Sequence, residues 1–196
     1  MENFILHRKD SLILTAIEVL DELGIQGLST REIARRQGVS EATLFRHYKT
    51  KNDLLLAVLD YESKYDSDII ASVRIKKLSL RDSITYFINS FAEYYQNYPA
   101  VTAISQVYDV LAKEPLLAGK IKNSFSARIG FLQELISEAH KKGEINNNID
   151  GEKLSFLIWG SFRAICLNWR FLKYSFSLKE YTLSTLEMTL NAFEIK

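Results

Sequence analysis

Gly38 stands between two short runs that each open with a helix-capping serine. That arrangement limits residues 28–51 (LSTREIARRQGVSEATLFRHYKTK) to two helices joined by a tight turn. Ser29 is a good N-cap, and Glu32, at the third helical position, completes the pattern of a capping box. Leu28 before the cap and Ile33 at the fourth position supply a hydrophobic staple. The first helix is expected over 30–37, closed by Gly38, which takes the left-handed conformation without strain. Ser40 caps the second, expected over 41–47. Ile33, Ala34, Val39, Leu44 and Tyr48 fall inward, and the small Ala34 and Gly38 let the helices cross closely. This is a helix-turn-helix layout, whose second helix suits a DNA major groove.

Charge is concentrated on the same stretch. Residues 28–51 hold six Lys/Arg (Arg31, Arg35, Arg36, Arg46, Lys49, Lys51) against two acids, Glu32 and Glu41, although the whole chain is only +1. That is the footprint of phosphate contact. Lys51 is the sharper sign. It opens the helix after Thr50, where a cation opposes the helix dipole and a DNA phosphate would favour it.

The runs STREIA, GVS and TLFRHYKTK, followed by DLL, resemble the DNA-binding domain of TetR/AcrR-type transcriptional regulators over residues 10–59. The resemblance implies phosphate contacts at Thr30 and Arg31. It implies base reading by Ser40, Glu41, Ala42 and Thr43, contacts to backbone or bases at Arg46 and His47, and a phosphate-binding role for Lys51. Phe45 departs from the family's usual tyrosine, so its phosphate contact is lost or moves to Tyr48. Glu41 either accepts from cytosine N4 or is a favourable first-turn acid.

With 47% hydrophobic residues, only 2 Pro and 8 Gly, and no alternating strand pattern, the chain is expected to be all-α. The division expected is a helix-turn-helix domain over 1–50 and a helical ligand-binding and dimerisation domain over 51–196. The first helix is expected over 4–23, leaving through Gly24 and Gly27. The fourth starts at Lys51 and runs toward Val73. Ser79 with Asp82 caps a helix to Tyr98, and Pro99 breaks it. A further helix runs to about 113, and Pro115 and Gly119 interrupt the chain before a helix over 120–142. Asp150 and Ser177 cap the last two.

Residues 154–174 are apolar, but Arg163 lies near their centre, and each central charge costs roughly 2.5–3.5 kcal/mol in a bilayer. A buried helix in a helical bundle or a subunit interface explains the run better, and no membrane association is expected. The N-terminal apolar run is too short for a secretory signal. The single cysteine, Cys166, fits a reducing cytoplasm.

The family resemblance implies that the last two helices, about 151–195, pair with a second subunit, and their broad apolar surfaces are compatible with a homodimer. Such a dimer presents two recognition helices to a palindromic double-stranded operator. Aromatic residues crowd the body. Tyr65, Phe87, Phe91, Tyr94 and Tyr108, with Phe125, Trp159 and Phe162, are candidates to line a pocket for an apolar or amphipathic small-molecule effector. Arg163 needs a carboxylate, from Glu62, Asp66, Glu93 or Asp109, or a ligand anion.

No phosphate-binding glycine loop or metal-spaced Cys/His set occurs, and His7, His47 and His140 are scattered. No enzyme, metal site or cofactor is therefore expected. The expected function is that of a ligand-responsive repressor. The alternative is a DNA-bound structural or partner-recruiting protein that uses the same head without an inducer.

Overall fold

The structure, a computed structural model, describes residues 8–193 and 195, so the expected helix start at residue 4 lies outside it. Every regular element among these residues is helical, as composition and patterning imply. In chain order they are α1 (Arg8–Gly27), α2 (Thr30–Arg36), α3 (Glu41–His47), α4 (Lys51–Lys76) and α5 (Leu80–Asn97). A 3-10 turn, Pro99–Val101, leads into α6 (Thr102–Gln106) and α7 (Tyr108–Leu111). The long α8 (Pro115–Lys142), α9 (Gly151–Phe171) and α10 (Leu178–Ala192) complete the fold.

Three expectations change. Gly24, at φ +64°, kinks α1 rather than ending it, and the chain makes a further turn to Gly27. The single helix expected after Pro99 is broken at Val107, which leaves helical geometry (φ −111°, ψ 10°). Pro115 begins α8 instead of interrupting the chain. It suits the first helical position, where its missing N–H has no intrahelical acceptor, and Gly119 lies inside the helix. The caps at Ser79, Asp150 and Ser177 form as expected, each accepting the N–H three residues on.

Packing gathers two compact units. The first joins the described residues up to Lys64 with Pro99–Asn123. In it α1 packs on α2, on the 3-10 turn and on α6, burying Leu12, Ile17, Leu20, Ile33 and Ile104. Within this unit the Tyr108 hydroxyl donates to Glu62 of α4 at 2.6 Å.

The second unit joins Tyr65–Tyr98 with the described residues from Ser124 onward. There α10 packs on α5 and α9 over a core of interlocked rings, with Phe91 edge-on to both Phe87 and Trp159 at 5.1 Å. Arg128 of α8 is fully buried among them, 5.5 Å from the Phe91 ring and 5.4 Å from that of Trp159. Its guanidinium donates from Nε (2.9 Å) and Nη2 (3.1 Å) to the buried Asp66 of α4.

A fork-to-carboxylate pair has one good geometry, so it registers α8 against α4 within this unit. Removing one partner leaves a buried charge uncompensated. Asp66→Ala is therefore expected to cost about 3–5 kcal/mol in chemical denaturation, and Asp66→Ala/Arg128→Met to recover most of that loss. A single-variant cost below about 1 kcal/mol would remove the pair from this role.

Candidate nucleic-acid interface

The turn between α2 and α3 is a complete Schellman motif. Val39 N–H donates to the Ala34 carbonyl at 3.0 Å, and Gly38 N–H to that of Arg35 at 3.2 Å. Gly38 sits at φ +62°, and a Cβ there would meet nothing within 4 Å. Backbone conformation, not space, therefore demands glycine. Gln37 ties the turn to α1 by donating to the Thr15 hydroxyl. Ser29 and Ser40 cap α2 and α3 by accepting from Glu32 N–H and Thr43 N–H, each at 3.2 Å.

Two side chains depart from expectation. The Glu32 carboxylate does not close the capping box. It accepts instead from Arg35 (2.8 Å, twice) and Arg36 (2.8 Å), because two guanidiniums one turn away outbid a backbone amide. Arg36 also pairs with Glu22 at 2.8 Å. Hydrogen bonds from Arg35 and Arg36 hold the Glu32 carboxyl down at about 2, and the Arg36 bond holds Glu22 below the usual carboxylate range. Two of the six cations of the stretch are thus already engaged. Arg31, Arg46, Lys49 and Lys51 are exposed and make no ion pair among the described residues.

Tyr48 is the second departure. It is buried, and its hydroxyl donates to the Lys9 carbonyl at 3.2 Å, so it cannot take over the phosphate contact that Phe45 lacks. Burial, and then the charge of Asp10, push its pKa up to about 12. Phe45 itself is exposed on α3, beside Ala42 and Arg46, with Thr43 and His47 half-buried.

The Thr30 hydroxyl donates to Glu41 Oε2 at 2.8 Å, so its side chain is tied to the start of α3. Ser40 is exposed but spends its oxygen on the cap. Lys51 opens α4 behind a reciprocal box that sequence reading missed. Thr50 N–H donates to Asp53 (2.9 Å), and Asp53 N–H to the Thr50 hydroxyl (3.1 Å). The spacing T-x-x-D at 50–53 carries that signal.

Within the second unit the aromatic candidates fall into separate groups. Phe87, Phe91, Trp159 and Phe162 are buried in mutual ring contact and fill the core of the second unit. Tyr65 and Tyr94 stack at 3.6 Å along an open cleft of ≈ 410 Å³, while Tyr108 belongs to the first unit and Phe125 is half-buried. Arg163 is also half-buried. Asp66 accepts from Arg128, Glu62 accepts from Tyr108 and Glu93 pairs with Lys179. The buried arginine of the body is Arg128, 62 residues from its carboxylate, a separation that leaves no local trace. Burial pushes the Cys166 thiol up to about 12, although nearby Arg163 pulls it down, so it is a core residue.

Residues 12–58 match the family described as bacterial regulatory proteins, tetR family. The chain is similar to the tetracycline repressor protein class D of Escherichia coli, 34% identical over 88 residues, or 44% of this chain. It spans 40% of the length of that repressor. It is 19% identical to the fatty acid metabolism regulator protein of Bacillus subtilis (strain 168), over 94% of this chain and 95% of that one. Its fold is that of the transcriptional regulator FadR from Bacillus subtilis, solved in complex with stearoyl-CoA. The TM-score is 0.79 at 18% identity, covering 92% of this chain and 96% of the other.

The arginine clamp on Glu32 has a pH signature. The folded value lies below the ordinary 4.5. Its contribution to stability is therefore complete above about 4.5 and is lost as pH falls toward about 2. An NMR titration should place the Glu32 midpoint near 2, and Glu32→Gln should flatten the pH dependence in that window. A midpoint at the ordinary value would mean the clamp is not formed.

Proposed function

We propose, from the premise that this chain belongs through its head to the tetR family of bacterial regulatory proteins, that it is a ligand-responsive repressor. It binds a palindromic double-stranded operator as a homodimer, in the cytoplasm and without catalysing a reaction. One observation carries the DNA reading. The outer face of α3 presents Ala42, Phe45 and Arg46 to solvent, and Arg31 of α2 and Lys51 at the start of α4 are exposed cations with no carboxylate partner among the described residues. Uncommitted cations next to an exposed recognition helix are what phosphate clamping and base reading need.

Dimerisation through α9 and α10 is supported by their surface. Phe171 and Met188 are each 73% exposed, and Phe156, Leu157 and Tyr181 are exposed with them. Large apolar side chains left in water on two adjacent helices favour a second copy of the same face. Two-fold pairing sets the recognition helices about 34–36 Å apart, one turn of DNA.

The effector is an apolar or amphipathic small molecule. FadR of Bacillus subtilis carries stearoyl-CoA, a molecule of that kind. The cleft at the stacked Tyr65 and Tyr94, lined also by Asp68, Ser72, Ser90 and Glu93, offers such a molecule a first foothold. Effector binding favours an arrangement that shifts α4, which runs from Lys51 at the head into the second unit. Release from the operator then requires only a difference in effector affinity between the two arrangements. No helix among the described residues is long and apolar enough to cross a membrane.

Selection from a random DNA pool should yield a palindrome bound by two subunits. Lys51→Ala should weaken binding to all sequences alike and reduce the salt slope by about one. Met188→Glu should give a monomer by sedimentation and lose operator affinity. Recovery of no preferred sequence overturns the repressor reading, and a Met188→Glu dimer overturns the assigned interface.

A further inference from the structure

We infer that Glu41 is a specificity-determining residue that selects cytosine at one position of each operator half-site, and that Thr30 is its positioning residue. The inference rests on the reading of the head as a DNA binder and extends it to a base.

Glu41 occupies the first position of α3, at the end of a recognition helix that approaches base edges. Its carboxylate has no cation partner among the described residues, although four uncommitted cations stand on the same stretch. A negative charge left at that end is repelled by phosphates, so DNA tolerates it only where a donor meets it. The major-groove edges then discriminate sharply. Guanine offers N7 and O6, and thymine O4, all acceptors. Adenine offers its amino group beside the repelling N7, and only cytosine presents an N4 donor with no acceptor next to it. The carboxylate therefore works by attraction to one base and repulsion from the others.

Thr30 supplies the geometry. It comes from α2, eleven residues away, and its hydroxyl donates to Glu41 Oε2 at 2.8 Å. That bond leaves Oε1 for the base and orders the side chain before DNA arrives, which lowers the entropy lost on binding. Capping does not need either group, since Ser29 and Ser40 already hold the two helix starts.

The test is selection from a random pool by the full-length wild type, Glu41→Ala, Glu41→Gln, Thr30→Val and Thr30→Ser. Each is then titrated against duplexes carrying each of the four bases at the chosen position. The wild type should prefer cytosine there by about 5- to 150-fold per half-site. Glu41→Ala should level the four bases at that position alone. Glu41→Gln, isosteric and so safe for folding, should move the preference to adenine. Thr30→Val should narrow the discrimination with little change at other positions, and Thr30→Ser should restore it. If Glu41→Ala and Glu41→Gln both select the wild-type palindrome unchanged, Glu41 serves only the first helical turn. The inference then fails while the repressor reading stands. A wild type that selects no sequence overturns both.

Discussion

A single backbone conformation, φ +62° at Gly38, sets the direction in which α3 leaves α2, and the head's outer face follows from it. The two hydrogen bonds of the turn satisfy the Ala34 and Arg35 carbonyls of the last turn of α2, so the bend is a defined joint and not a loop. Gln37 fastens the joint to Thr15 on α1, and Leu44 and Tyr48 anchor α3 inward. Once Leu44 and Tyr48 point in, helical periodicity obliges Ala42, Phe45 and Arg46 to point out. A side chain at Gly38 would meet no neighbour, yet it would strain the one torsion on which that periodicity is mounted.

The positive charge of the head is divided between two tasks. Arg35 and Arg36 are committed to Glu32 and Glu22, which brace α2 against itself and against α1. Arg31, Arg46, Lys49 and Lys51 are left to the surroundings. Counting all six as phosphate contacts would overstate the salt dependence of binding. A guanidinium already paired with a carboxylate neutralises no phosphate and so releases none of the counterions condensed on the DNA, and that release is the origin of the dependence.

What could be read from the sequence is local. N-caps, the closing glycine and the helical stripes are set by residues within four positions of each other. Ser29, Ser40, Ser79, Asp150 and Ser177 all cap the helices they precede. What could not be read depends on side chains that meet across distance. Tyr48 is both inward by periodicity and polar by chemistry. Only the carbonyl of Lys9, 39 residues earlier, decides that its hydroxyl points in. The same holds for Thr30 with Glu41 and for Arg128 with Asp66. Arg163 stands out in the sequence because it interrupts an apolar run. Arg128, flanked by Ala127 and Ile129 on a more polar helix, does not, yet it is fully buried while Arg163 is half-buried.

Aromatic crowding in the second unit has a consequence for stability. Phe87, Phe91, Trp159 and Phe162 pack on one another and on a buried guanidinium, so the second unit is held by a filled core. A ligand inserted into this core would separate rings that are in contact, and each separated ring would give up packing of order 0.5–1.5 kcal/mol beyond its area. That cost is borne in the bound arrangement alone. It becomes useful only if the same displacement alters how α4 is held, and Asp66 places a buried anchor of α4 against this ring cluster through Arg128. In a ligand-responsive protein, a filled core with one charged fastening would make a better switch than a rigid open pocket. A ligand that enters an open pocket equally well in both arrangements shifts nothing, however tightly it binds.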